Sequence, residues 1–260
     1  MANIAFIDTY TTLNDLYGSH NCPFMFRYEI WEEFQLKSQN SKKSSEIWMV
    51  PDENILGNGT AYHKITNDIV EENKDKWLSL EDGLEKIYNI LSVLNKNNVY
   101  IVGYGIILFD LKILNEHFER ILHKPKIEFD NKFIIDVEEL AKILVDVREC
   151  GNYSKNSVIS TLRCDINDEE VSSDISETRT LLLKLMELGN FKTIRDVSDF
   201  IHSPHDVKVF QQGKYKGRDI YEVFKYDRQY FSWIMKNRKF YEGDKNLLVK
   251  VESILNSEDA

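Results

Sequence analysis

An α/β fold with a mixed five-stranded sheet flanked by helices, followed by a small basic module, is what this 260-residue sequence predicts. Three observations carry that expectation. Short apolar, β-prone runs recur through the first 140 residues, and from Leu80 onward they alternate with segments of helical periodicity. The charge also changes sign near residue 205.

The elements follow in order. Ile4-Ala5-Phe6-Ile7-Asp8 reads as a buried first strand that ends by delivering Asp8 to a sheet edge. Met25–Trp31 and Glu46–Val50 are the next two strands, with the polar stretch 39–45 between them as a turn or loop. Leu84, Ile87, Ile90, Leu91 and Leu94 repeat at helical spacing over Leu80–Leu94, and Ser79 with Asp82 three residues on is a capping-box-like start. A fourth strand, Val99–Val102, runs into Gly103-Tyr104-Gly105, and a helix over Phe109–Leu122 opens at Asp110. Phe133–Val145 is a strand that turns into a helix around Asp136. Ser176–Leu188 is a further helix, stopped by Gly189-Asn190, and residues 202–205 read as a linker. The expected organisation is therefore a first domain over 1–190, a connection over 191–205 and a second module over 206–260.

Composition excludes several classes. With 42% hydrophobic and 12% aromatic residues the chain can bury a real core, which excludes a disordered tail. Eleven glycines and four prolines exclude collagen-like and low-complexity chains, and three widely spaced cysteines without a CxxC pair argue against a disulfide framework or zinc finger. An aspartate arrives within the first eight residues, and the longest near-apolar run, Val99–Phe109, is far too short to span a membrane. The expectation is a soluble, cytoplasmic protein without a membrane partner.

The net charge of −10 conceals a split. Residues 1–204 hold 22 Lys/Arg against 34 Asp/Glu, whereas residues 205–250 hold 11 against 6. Only that later stretch has the balance of a polyanion footprint. In the acidic part, Asp8 at a strand end, Asp110 at a helix start, and Asp174 and Glu177 at another helix start are raw material for metal-assisted phosphodiester hydrolysis, which needs carboxylates converging from distant points of the chain. On spacing alone, helix capping or solvation accounts for each of them.

Ile4-Ala5-Phe6-Ile7-Asp8-Thr9-Tyr10-Thr11-Thr12 resembles the first motif of the DnaQ-like (DEDD) 3′→5′ exonucleases, an RNase H-like fold. Asp8 matches the motif's metal-binding aspartate, while Tyr10 stands where the family has glutamate. Residues 102–110, ending in Phe109-Asp110, resemble the second motif, with Asp110 as the matching carboxylate, and 133–141 resemble the strand and helix around a landmark Asp, here Asp136. The third motif, a histidine five residues before an aspartate, aligns on Ser172 and Glu177, and the tyrosine variant's position is Ser173. The resemblance thus implies Asp8, Asp110 and Glu177, or Asp174 if the register slips, as catalytic and metal-binding residues. It implies a site lacking one bridging carboxylate and its general base, and holding at most a single weak Mg²⁺ or Mn²⁺.

Residues 207–237 resemble the C-terminal domain of exonuclease X-like proteins. Gly213-Lys214-Tyr215-Lys216-Gly217-Arg218 reproduces its Gly-Lys-Tyr-Lys-Gly core, and Asp227, Tyr230 and Trp233 fall at its Asp-x-x-Tyr-x-x-Trp spacing. Residues 194–204 resemble the family's connecting helix and Ser-x-x-Pro turn. Two glycines bracketing Lys-Tyr-Lys make a tight turn with outward cations, so Lys214, Tyr215, Lys216 and Arg218 are the candidate nucleic-acid contacts, with Lys236, Arg238 and Lys239 in support. Tyr221, Phe224, Tyr230, Phe231 and Trp233 are expected to form the core of the module.

Three functions fit these readings. One is a catalytically degenerate exonuclease-fold protein that binds single-stranded nucleic acid or a protein assembly in replication, repair or transcription. The second is an active Mg²⁺-dependent 3′→5′ exonuclease on single-stranded DNA or RNA with an atypical ligand set. The third is a protein-interaction scaffold. The Asn-, Lys- and Ile-rich composition and the exonuclease X-like arrangement suggest a phage or viral source.

Overall fold

The structure is a computed structural model that describes residues 3–13, 21–31, 43–164, 174–241 and 244–258. The strands are β1 (Ile4–Thr11), β2 (Pro23–Trp31), β3 (Lys43–Trp48), β4 (Tyr100–Gly103) and β5 (Ile134–Asp136). They form one sheet in the order β3-β2-β1-β4-β5. β1 pairs antiparallel with β2 and parallel with β4, and β4 pairs parallel with β5, so the sheet is mixed. The helices are α1 (Gly57–His63), α2 (Asn67–Asn73), α3 (Leu80–Lys96), α4 (Asp110–Arg120), α5 (Val137–Leu144), α6 (Val147–Cys150), α7 (Lys155–Leu162) and α8 (Asp174–Leu188). Beyond them lie α9 (Ile194–Ile201), α10 (Ile220–Tyr226), α11 (Arg228–Lys236) and α12 (Lys245–Glu258). This is the RNase H-like arrangement expected from the sequence.

The chain divides into two compact units, residues 1–137 with 165–199, and residues 138–164 with 200–260. Compact packing therefore divides the chain elsewhere than at the boundary expected near residue 190. In the second unit the Lys142 carbonyl accepts a 2.8 Å bond from the Gln211 amide. Val145, Val147 and Tyr153 line a cleft of about 440 Å³ together with Val207 and Val209, which ties α5 and α6 to the later residues.

In the first unit α3 and α4 pack on one sheet face. Leu84, Ile87 and Leu91 of α3 and Leu114 and Phe118 of α4 share a buried cluster with Ala5, Ile7, Phe26 and Ile101. Burying each of the leucine, isoleucine and phenylalanine side chains stabilises the fold by about 1.5–3 kcal/mol. The Ser79 hydroxyl accepts the Asp82 amide, as the capping pattern predicts. Because strand side chains alternate, Phe6, Asp8 and Tyr10 point to the opposite face from Ala5 and Ile7, and α8 packs against β1.

Two strand expectations are corrected. β1 does not end at Asp8 but continues to Thr11, because β2 goes on pairing with it, Asp8 opposite Arg27 and Tyr10 opposite Met25. Its pairing with β4 stops at Phe6 opposite Val102, so Asp8 still lies beyond the end of the parallel ladder. β3 begins at Lys43, three residues earlier than expected, since β2 pairs with Ser44 and Ser45; polar residues are tolerated on this edge strand. The rest of the expected loop, 39–42, lies outside the described residues. Among the described residues no helix is long and apolar enough to cross a membrane.

In the second unit Phe210, Ile220, Val223, Phe224, Phe231, Leu247 and Val251 form the buried cluster. The expected aromatic contribution to the core is corrected at two positions: Phe224, Tyr230 and Phe231 are buried, but Tyr221 and Trp233 are 53% and 46% exposed. Helical periodicity is the reason. α10 buries Ile220, Val223 and Phe224, and α11 buries Tyr230, Phe231 and Ile234, which leaves Tyr221 and Trp233 off the packed faces.

Candidate functional site

The acidic site begins with the turn between β4 and α4. Gly105 adopts φ +69°, a left-handed conformation that favours glycine. Asp136, at the end of β5, accepts the Gly105 amide on Oδ1 at 2.9 Å and the Ile107 amide on Oδ2 at 3.4 Å. The landmark aspartate thus fixes the turn that delivers Asp110 to the first residue of α4. Asp110 is only 4% exposed, and its Oδ1 is buried without a hydrogen-bond partner. Burial, reinforced by the neighbouring Asp8 charge, pushes its carboxyl well above the ordinary aspartate range. The structure therefore brings Asp8 and Asp110 together.

The third acid is Asp174, the first residue of α8. Its Oδ2 accepts the Tyr10 hydroxyl at 3.0 Å and its Oδ1 accepts the Tyr62 hydroxyl at 3.3 Å. Burial, then the charges of Asp174 and Asp8, hold the Tyr10 phenol above its ordinary range, so it stays protonated and donates. Tyr62 is raised in the same way, with Asp110 among the charges that act on it, although 48% of its surface is open. Glu177 lies one turn further along α8; it is Asp174, the slipped-register alternative, whose carboxylate meets Tyr10. Ser172 and Ser173 lie outside the described residues.

Sequence reasoning missed Tyr62 and His63. Both come from α1, a seven-residue segment containing two glycines and no apolar periodicity, so nothing in the local pattern marks it. Its placement comes from pairing: the Leu56 amide, just before α1, donates to the Thr12 carbonyl beyond β1 at 2.9 Å. The His63 ring stacks on Tyr10 at 5.4 Å between centroids. Its Nδ1 accepts the Ile65 amide at 3.1 Å, which leaves the proton on Nε2, and Nε2–H donates to the Thr11 carbonyl at 3.2 Å. Burial also lowers the pKa of this imidazole. With both nitrogens engaged, His63 is not placed to take a proton from water.

A divalent cation can be tested against these groups. Among the described residues no three His, Cys, Asp or Glu side chains close into a group able to hold a metal ion. The hard-oxygen pair Asp8 and Asp110, with a buried, unpartnered Oδ1, fits one cation, whereas Tyr10 offers a bound phenol where a bridging carboxylate would complete a second position.

The basic turn is built differently. Gly213 and Gly217 both have φ +77°, and a Cβ on Gly213 would come within 2.7 Å of the Tyr230 hydroxyl oxygen. The turn closes through Gly217 N–H to the Phe210 carbonyl at 2.7 Å and Arg218 N–H to the Tyr215 carbonyl at 2.9 Å. Lys214 pairs with Asp227 at 3.0 Å, and the Tyr215 hydroxyl donates to the same Asp227 oxygen. The two donors lower the Asp227 pKa, Tyr215 first. The Tyr215 ring lies edge-on to Tyr230 at 5.0 Å and packs against the aromatic core, whereas Lys214 stays exposed beside Asp227. Lys216 and Arg218 are exposed and carry no ion pair among the described residues. Trp233, stacked on Tyr230 at 5.7 Å and 46% exposed, and Tyr226, 63% exposed, are the open aromatic surfaces nearby.

Comparison with known proteins agrees with this architecture. The family model of the exodeoxyribonuclease X-like C-terminal domain matches residues 210–239. The zinc-bound complex of E. coli exonuclease I with single-stranded DNA superposes with a TM-score of 0.56 at 12% identity, covering 77% of this chain and 42% of that one. A moderately thermophilic exonuclease I from Methylocaldum szegediense gives 0.54 at 15% identity, covering 77% and 42%. An exonuclease I/SSB-Ct complex gives 0.51 at 13% identity, covering 77% and 43%. This chain thus spans less than half the length of the exonuclease I structures it matches, and the likeness is one of fold. No curated protein matches it.

Proposed function

We propose that the chain is a catalytically degenerate 3′→5′ exonuclease-fold protein that binds single-stranded nucleic acid as a cytoplasmic component of replication, repair or transcription. One observation carries the reading: Tyr10 stands where the exonuclease motif has glutamate, and its hydroxyl is spent on Asp174. A site built this way lacks a bridging carboxylate. The histidine that the fold brings nearest, His63, is locked by the Ile65 amide and the Thr11 carbonyl. Loss of a general base alone costs about 10²–10⁴ in rate.

Asp8 and Asp110 would hold one Mg²⁺ or Mn²⁺, which would supply positive charge against a phosphate oxygen; Asp136 orients the turn bearing Asp110. Lys216 and Arg218 would meet the phosphates, with Lys214 and Tyr215 shaping the turn and the exposed face of Trp233 available to a base. Support for single-stranded nucleic acid as ligand comes from the exonuclease I complexes and from the net positive charge of residues 205–250. An exonuclease I also occurs with an SSB peptide, which keeps a protein partner within the same reading.

The test pairs two assays on the full chain with a fluorescent single-stranded oligonucleotide. The reading predicts salt-sensitive binding without appreciable Mg²⁺-dependent nucleotide release. Robust release that Asp8→Ala abolishes would establish an active exonuclease with an atypical ligand set instead. Absence of binding at low salt would favour a protein-interaction scaffold.

A further inference from the structure

We propose that Tyr10 and Tyr62 form a phenol clamp on Asp174 that competes with a divalent cation for this carboxylate, so that the acidic edge takes its ion on Asp8 and Asp110 alone while the clamp is closed. The inference rests on the reading of Asp8 and Asp110 as an ion site and adds a residue-level control to it.

The geometry supplies one donor to each carboxylate oxygen, Tyr10 to Oδ2 at 3.0 Å and Tyr62 to Oδ1 at 3.3 Å. An ionised carboxylate only accepts, and both phenol hydrogens point their partial positive charge at the oxygens a cation would need. The clamp is held from behind. The Tyr10 ring packs against Phe24 at 6.4 Å, against Tyr62 at 6.2 Å and on His63 at 5.4 Å. His63 is itself pinned by the Ile65 amide and the Thr11 carbonyl, so the ring stack does not swing aside without breaking those bonds. Asp174 is anchored at its other end, where its carbonyl accepts the Thr178 hydroxyl at 2.7 Å. Tyrosine at position 10 therefore does more than omit an oxygen ligand: it withholds a second one. Tyr10 and Tyr62 act through Asp174 and are positioning residues.

Mn²⁺ titration of the full chain, followed by the electron paramagnetic resonance signal of the free ion, tests this together with thermal melting. Tyr10→Phe removes the donor and keeps the ring, and Mn²⁺ should bind about tenfold or more tightly, as expected for a lost hydrogen bond to a charged group. Tyr62→Phe should act in the same direction by less, because its bond is longer, and it serves if Tyr10→Phe does not fold. Asp174→Asn should erase the gain in the Tyr10→Phe background. Unchanged or weaker Mn²⁺ binding by both phenylalanine variants, with lowered melting temperatures, would make the clamp purely structural and overturn the proposal. Asp110→Asn distinguishes that failure from failure of the underlying reading. If it leaves Mn²⁺ binding intact, the ion site is elsewhere and the proposal falls with it.

Discussion

Asp110 and Asp227 show how differently the two basic-and-acidic regions of the molecule treat a carboxylate. At the sheet edge, Asp110 is buried beside another acid, with one oxygen unpartnered, and its pKa is driven up. In the Gly-Lys-Tyr-Lys-Gly turn, Asp227 receives the Tyr215 hydroxyl and the Lys214 ammonium, and its pKa is driven down. The first region holds a charge in a state it would relieve by binding a cation, while the second has settled its own acid and leaves Lys216 and Arg218 over. On the proposed reading, the first is a place for a positive ligand and the second a scaffold for displaying positive charge.

The sharpest break of this comparison is a pair of titrations. Because the folded pKa of Asp110 is raised, its favourable contribution is complete below its unfolded value and is lost as pH rises through the folded one. Asp110→Asn should therefore be indistinguishable from wild type near pH 3 and more stable at neutral pH, and Mn²⁺ should narrow that gap by stabilising the wild type. Asp227 has the opposite sign, stabilising above its unfolded value and losing that contribution as pH falls through its folded one. Asp227→Asn should be less stable at neutral pH, with the difference fading in acid. Melting temperatures across pH 3–8 check both, and parallel curves for the two variants would dissolve the contrast.

Next in size is the support under the acidic edge. Asp136→Ala strands the Gly105 and Ile107 amides and should cost about 2–3 kcal/mol by urea denaturation. A neutral effect would mean that Asp110 is positioned without it. On the other side, Gly213→Ala must adopt a left-handed backbone at about 1–2 kcal/mol and push its Cβ against the Tyr230 hydroxyl, whereas Gly217→Ala pays only the backbone cost, its nearest neighbour being 3.5 Å away. Equal losses would contradict the packing around Tyr230. The smallest effect belongs to single cations. Lys216→Ala and Arg218→Ala should each flatten the slope of log affinity against log salt by about 0.7 for a single strand, while Lys214→Ala should change it less because its charge is held by Asp227.

Much of this was legible before the fold. Apolar periodicity located α3, α4 and α8 to within a few residues, and the run Ile4–Asp8 located β1 but not its extension to Thr11. The glycine spacing of residues 213–217 was legible because a positive φ leaves few other choices. Other features come from tertiary pairing, which local pattern does not encode. α1 has no periodicity, yet its attachment beyond β1 brings Tyr62 and His63 to Tyr10. Which acid of α8 faces Tyr10 depends on the phase of the helix against β1, and the described helix includes Asp174, two residues before the start the periodicity suggests. The exposure of Tyr221 and Trp233 was within reach of the sequence, since each sits off its helix's apolar stripe, but counting aromatics hides what phase along the helix reveals.

The proposal turns on Tyr10: with a phenol in place of a carboxylate, the acidic edge would hold a single cation at most. Anomalous scattering from crystals soaked in Mn²⁺ tests it most directly. The account predicts at most one peak, against Asp8 and Asp110, with Asp174 still bonded to the tyrosine hydroxyls. Two peaks about 4 Å apart, with Asp174 turned onto the second, would contradict it.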